Sequence, residues 1–244
     1  MTELPAVIDA VMAERAASGK PLAIILAGHN GSGKSTLWKL HLAPRFQIPL
    51  INADRFFMSV LPEPDTQGFI PDWAAELRDT NTSWMRVAQL GVVSFTGHAM
   101  ASKAAFAMET VFSDWRPQPS GAIASKIAVI EKMQAEGYFV LLCFVGLANA
   151  KLSITRVATR VSIGGHDIPA AKLLDRFPRT QKAVGMAASV ADSTIMFDNS
   201  FTQDRAFTVC RVQLRDDVRY DARSAAPRFP AAIRSWMEAV CPLT

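Results

Sequence analysis

The stretch Leu22–Leu37, LAIILAGHNGSGKSTL, decides the fold. Leu22 to Ala27 is a continuous apolar run, short enough for one strand and apolar enough to be buried on both faces, as strands of parallel sheets are. It leads directly into Gly28, His29, Asn30, Gly31, Ser32, Gly33, Lys34, Ser35 and Thr36, which match the P-loop pattern in full. A helical pattern from about Lys34 to Leu42 follows. Strand, glycine-rich loop and helix are the context this motif needs. Its glycines let successive backbone N–H groups turn onto phosphate oxygens, and the helix N-terminus adds its dipole. Lys34 is expected to reach the β and γ phosphates and Ser35 to ligate magnesium, so ATP and Mg2+ are the expected ligands.

Outward from this unit the chain repeats strand and helix. Ile48 to Ile51, Ala104 to Met108, Tyr138 to Val145 and Thr194 to Phe197 read as further strands. Helical stretches lie between, notably Ala122 to Glu136 closed by Gly137 and Ala148 to Ile163 closed by Gly164 and Gly165. This alternation predicts an α/β fold with a five-stranded, mainly parallel sheet and helices on both faces. One domain is expected over 1–244. Within it, residues 1–20 form a helix ending at Gly19, 61–102 a proline-rich helical insertion over the site, and 148–182 an arginine-bearing lid. Residues 203–244 supply an edge strand, Phe207 to Leu214, and from Pro227 onward a closing helix near Ala231 to Val240.

Composition bounds the function. Of 244 residues, 50% are hydrophobic, enough for a substantial core, and the formal net charge is only +4, too mild to argue for nucleic acid. The basic excess concentrates between Leu147 and Lys182, a segment suited to a polyanionic small ligand or to a solvated helix face. Cys143, Cys210 and Cys241 stand far apart without metal-ligand spacing, and the apolar runs are too short to span a bilayer. A cytoplasmic protein with neither leader nor membrane segment is expected.

In open α/β sheets ligands bind beyond the carboxyl ends of the strands, so residues there come first. Asp54, in INADRFF after the second strand, can accept a hydroxyl proton or help hold magnesium; alternatively it caps the following helix. Glu109 and Thr110, in FAMETVFS, can grip substrate hydroxyls or support the metal shell, or Glu109 pairs with a nearby arginine. Arg156 and Arg160, four residues apart and so on one helix face, together with Arg176 and Arg179 can close over a transferring phosphoryl group. Trp38, Trp73, Trp84 and Trp115 read as core and lid packing, with Trp73 and Trp84 the candidates for stacking on a base.

Taken in order, the P-loop, INADRFF, FAMETVFS, GYFVLLCFVGL, RVATRVSIGGHDIP, RFPRT and FDNS resemble the zeta-toxin family of P-loop kinases over about residues 22 to 200. The resemblance implies ATP- and magnesium-dependent phosphorylation of a hydroxyl of UDP-N-acetylglucosamine or a related UDP-sugar, and a protein antitoxin as partner. It makes Asp54 the general base, with Lys34, Arg156, Arg160 and Arg179 assisting catalysis. Glu109, Thr110, His166 and Arg176 become acceptor contacts, His166 standing where some members carry a second arginine, and Val111 standing where many carry a second threonine. Asn199 falls near the adenine. A P-loop switch or motor would show a strand ending in Asp-Glu or a guanine-specifying NKxD, and neither occurs. A nucleic-acid end kinase would show steep salt dependence.

Overall fold

The structure is a computed structural model and describes residues 3–119, 121, 123–225 and 229–243, the side chain of Gln203 excepted. Helix α1 (Leu4–Ser18) ends at Gly19, whose φ of 67° is the left-handed C-cap geometry. Strand β1 (Leu22–Gly28) is buried at every residue and delivers the loop to α2 (Lys34–Leu37). A π-helical turn, Trp38–Leu42, separates α2 from α3 (Ala43–Phe46). The expected single helix opens here because Pro44 has no N–H to offer Leu40 and its ring crowds that carbonyl. Strand β2 (Leu50–Ile51) and α4 (Ala53–Met58) follow, then the insertion helices α5 (Asp72–Thr80) and α6 (Thr82–Ala101). Strand β3 (Phe106–Thr110) leads to a hairpin of β4 (Trp115–Pro117) and β5 (Ile123–Ser125). Next come α7 (Ile127–Ala135), β6 (Phe139–Gly146), and the lid helices α8 (Ala150–Val161) and α9 (Ala170–Val190). Strands β7 (Ser193–Asp198), β8 (Thr208–Leu214) and β9 (Asp217–Asp221) precede α10 (Ala222–Ala225) and α11 (Ala231–Val240).

The sheet has seven strands in the order β2-β3-β1-β6-β7-β8-β9, not five. The five expected strands form its parallel part, and β8 adds antiparallel to β7 as an edge strand would. Strand β9, read as DVRYD, lacks an apolar alternation because it borders solvent and pairs only with β8. Strand β3 starts two residues later than expected. The expected helix over 122–136 begins instead as β5 before α7. Ala122 and Pro227, where two helical segments were expected to open, lie outside the described residues.

Alternation along β1 divides the interior. Ala23, Ile25 and Ala27 face a core shared with α7, α9 and α11, while Leu22, Ile24 and Leu26 face α1 and the helix after the loop. Val7, Ile8 and Val11 of α1 are buried against that second face, so the N-terminal helix packs on the sheet. The insertion and the lid add small clusters of their own, Phe57, Leu61, Ile70, Ala74 and Ala88 for the one and Val157, Ile168 and Leu173 for the other, while Met100 of α6 and Ala183, Val184, Ala187 and Ala188 of α9 belong to the first core. No helix among the described residues is long and apolar enough to cross a membrane.

Candidate active site

The phosphate loop sits at the centre of the sheet, where β1 runs between β3 and β6 and the chain departs to both sides. Lys34 curls back over it, donating from Nζ to the carbonyls of Gly28 at 3.1 Å and His29 at 3.0 Å. Burial holds the Lys34 ammonium below its ordinary pKa, opposed by the carboxylates of Glu109 and Asp54 and reinforced by Arg160. Gly33 has φ of 90°, and a Cβ there would stand 2.6 Å from the Asn199 side-chain nitrogen. That amide donates to the Ser32 carbonyl at 2.8 Å. Asn199, expected near the adenine, therefore braces the loop from beneath. His29 is also turned away from the phosphate side. Its ring stacks on Phe177 of α9 at 3.8 Å between centroids and meets Phe144 edge-on, and burial, with the Lys34 charge adding, lowers its pKa to about 3.

Helix α8 docks directly on the loop. Its N-cap Asn149 accepts from Leu152 N, and Ser153 donates to the Asn30 carbonyl at 2.7 Å. A Cβ on Gly31 would stand 3.1 Å from that of Arg156, so the lid helix starts in contact with the phosphate site. Arg156 is half-buried and reaches the Phe201 carbonyl at 3.5 Å, its pKa held down by burial and supported by Asp198.

Period-two alternation sends Glu109 and Thr110 to opposite faces of β3. Glu109 lands on the loop side. It accepts from the Ser35 hydroxyl at 3.1 Å to each oxygen and from Asn52 Nδ2 at 2.9 Å, and lies 3.9 Å from Lys34. The Ser35 hydroxyl and the Glu109 carboxylate are hard oxygen donors, a set that suits magnesium, which takes one or two carboxylates and completes its shell with phosphate and water. Asn52 also caps α4, accepting from Arg55 N at 3.1 Å. Asp54 is thus relieved of capping; it lies exposed in the first turn of α4 and lines the cleft. The spacing Asn-Ala-Asp-Arg carried the signal for this cap, since a cap accepts from the third residue after it.

The cleft, of about 1500 Å³, runs from Lys34 and Ser35 past Asp54 to Arg176 and Lys126. Its far side is closed by an interlock of insertion and lid. Arg78 grips Asp79 with two hydrogen bonds of 2.7 and 3.0 Å and donates across to the carbonyls of Gly164 at 2.8 Å and Gly165 at 3.4 Å. Asp79 also holds His166 Nδ1 at 2.7 Å, and the His166 carbonyl accepts from Arg160 at 2.7 Å. Hydrogen bonds and charge from Arg78 and His166 outweigh burial and keep the Asp79 carboxyl below its usual range. His166, expected to touch the acceptor, gives its Nδ1 to this contact and lines the cleft. Gly164 has φ of 85°, and a Cβ there would stand 2.2 Å from the Gly68 carbonyl, so only glycine lets the two backbones approach.

Arg179 lines the cleft but is tied to Asp175 one turn back in α9. Arg176 has neither an ion pair nor a hydrogen bond among the described residues; burial and Arg179 lower its pKa, against the pull of Asp175 and Asp54. Trp73 and Trp84 are 60% and 48% exposed and do not line the cleft, so neither stacks on a base there; Trp84 packs beside the buried Phe57 at 6.2 Å between centroids, and Phe57 and Phe112 stand on the cleft wall. Arg78, Asp79 and Lys126 carried no sequence signal, because their partners lie far along the chain or in a turn.

No curated protein sequence matches this chain. Among solved structures it is similar to AvrRxo1-ORF1:-ORF2 with ATP, with TM-score 0.59 and 12% identity over 99% of this chain and 71% of that one. It is similar also to AvrRxo1-ORF1:AvrRxo1-ORF2 with sulphate ions, with TM-score 0.55 and 14% identity over 99% and 71%. The PezAT chromosomal toxin–antitoxin system of Streptococcus pneumoniae gives TM-score 0.49 and 15% identity over 96% and 86%. At such identities the AvrRxo1 likenesses establish the fold alone. The sequence model of the zeta toxin family matches residues 8–206, which takes in the loop, Asp54, Glu109, the lid and Asn199, and the chain belongs to the zeta toxin family.

Proposed function

We propose that this protein is an ATP- and magnesium-dependent phosphotransferase that moves the γ-phosphoryl group to a hydroxyl of a UDP-sugar such as UDP-N-acetylglucosamine. The observation that carries the reading is Asp54, uncapped and exposed, facing the buried Lys34 across one cleft closely enough for their charges to act on each other. The loop N–H groups and Lys34 hold the triphosphate. Magnesium at Ser35 and Glu109 supplies charge neutralisation on phosphate oxygens when bound. Asp54 takes the proton from the acceptor hydroxyl, and Arg156 and Arg160, standing on the lid helix that touches the loop, stabilise charge on the moving phosphoryl group. The interlock of insertion and lid keeps water from competing with the acceptor. Family membership extends the proposal to a protein antitoxin as partner. The UDP-sugar acceptor follows from the family resemblance; the cleft contributes its size and its cationic far end.

The test is product identification. Purified protein with ATP, magnesium and UDP-N-acetylglucosamine is expected to give a sugar nucleotide heavier by one phosphoryl group by mass spectrometry. No product from a panel of UDP-sugars, with ATP hydrolysis undiminished in their absence, sinks the reading.

A further inference from the structure

Beyond Asp54 the cleft ends in a group of donors with almost nothing to accept from them. Thr110, on the face of β3 opposite Glu109, receives a hydrogen bond from Lys126 Nζ and another from Phe112 N at 3.2 Å. Both lone pairs of its hydroxyl are then used, which leaves its proton free to donate. Lys126 stands at the start of α7, half-buried, and among the described residues Thr110 is its only hydrogen-bond partner and no carboxylate lies within ion-pair distance of it. Asp114, whose charge acts on Lys126, is held by two hydrogen bonds from Arg116 at 2.7 and 3.0 Å. Arg176 completes the group from α9, likewise half-buried and, among the described residues, without a carboxylate partner, lining the same cleft as Lys126 and Asp54 and close enough to both for their charges to act on one another.

Half-burying two cations together is unfavourable unless an anion joins them. Asp114, the carboxylate that lines this end of the cleft, is engaged by Arg116, which leaves the Lys126 and Arg176 charges and the Thr110 proton to be met by a ligand. Phe112, with φ of 61°, turns the chain sharply after β3 and so presents its own N–H to Thr110 in place of a further strand residue.

We propose that Lys126, Arg176 and Thr110 form an anion subsite that holds a phosphate or diphosphate group of the acceptor, with Lys126 as the residue that selects anionic acceptors. The inference rests on the kinase reading for what the occupant is, but not for the site itself. An acceptor held there by its phosphate reaches back toward Asp54 with its hydroxyl, so one molecule is gripped at one end and deprotonated at the other. The class of reaction that supplies such an acceptor is one that attaches a phosphate or a nucleoside diphosphate to a polyol.

The experiment titrates inorganic pyrophosphate by calorimetry into protein saturated with magnesium and a non-hydrolysable ATP analogue, so that the phosphate loop is already filled. The wild type is expected to bind one pyrophosphate. K126M weakens that binding by at least about tenfold, as loss of a charge-assisted hydrogen bond does. K126R restores most of it, and melting curves confirm that both variants fold. Equal binding by wild type and K126M, or no binding once the analogue is present, overturns the proposal. Steady-state kinetics with the phosphorylated acceptor add a second reading: K126M raises the acceptor KM and leaves the ATP KM in place. Loss of pyrophosphate binding in K126M with no kinase product from any UDP-sugar keeps the subsite and discards the sugar-kinase reading. Product formation with an unchanged acceptor KM in K126M does the opposite.

Discussion

The phosphate loop leaves a strand buried at all seven residues and is gripped on several sides, by Asn199, by Ser153 and by the ring stack of His29 on Phe177. The insertion and the lid facing it stand on two small apolar clusters and meet each other through Arg78, Asp79 and two lid carbonyls. A wall built on the central strand is expected to open only with the whole protein, whereas the cleft-facing ends of the arms, beyond the parts of α6 and α9 that join the main core, are expected to open at a fraction of that free energy. The nucleotide side is preformed, and the acceptor side is the part that can admit and enclose a second substrate.

The largest expected effect separates the chemistry from the nucleotide wall. Asp54→Asn keeps the side chain's size and, because Asn52 caps α4, leaves the helix intact. Removing a general base costs about 10²–10⁴ in kcat. ATP affinity, measured by fluorescence or calorimetry, is expected to stay within about twofold, since that affinity resides in the loop. A variant that loses ATP binding and turnover together shows that Asp54 belongs to the nucleotide wall and collapses the distinction.

Arg78→Ala tests the arms. Two lid carbonyls lose this donor and the Asp79 carboxylate is left with His166 alone, and misplacing a lid arginine by about 1 Å can cost about 10²-fold. Phosphoryl transfer to the acceptor is expected to fall by up to that factor while acceptor-independent ATP hydrolysis rises relative to it, because the closed lid no longer excludes water. Hydrogen exchange at residues 162–169 is expected to quicken, with β1 unaffected. Exchange that quickens equally in both regions means the arms are not a separate unit.

The same division explains what could be read from the sequence. GHNGSGKST is contiguous, its strand and helix are contiguous with it, and the parallel part of the sheet follows from apolar runs alone. Asp54 and Glu109 were legible because they stand where strands end. Nothing local marks Arg78, whose partner Gly164 is 86 positions away, nor Lys126, whose role depends on the turn after β3 bringing α7 back to Thr110. Trp73 and Trp84 suggested a stacking surface, yet they stay half-exposed outside the cleft because the insertion's core is too small to cover them, although Trp84 does pack beside Phe57. His29 carries no signal beyond its place in the loop motif, and only the packing of α9 shows why an aromatic ring stands there.

That ring offers the smallest expected effect and tests how firmly the nucleotide wall is joined to the core. Among the described residues His29 Nε2 is buried without a hydrogen-bond partner, and its pKa falls from the usual 6.5 to about 3. The folded protein therefore keeps His29 neutral at pH values where the unfolded chain takes up a proton. Stability is full above about pH 6.5 and is lost as pH falls toward 3, with a slope of at most about 1.4 kcal/mol per pH unit. His29→Phe keeps the stack on Phe177 and removes the titration. Melting temperatures at pH 7.5 and pH 5.0 are expected to differ more for the wild type than for this variant. Equal differences would mean that the ring takes up its proton in the folded state, which requires water or a rearranged loop to reach it. The nucleotide wall would then open on its own, as the arms do, and the contrast between the two sides of the cleft would narrow to one of degree.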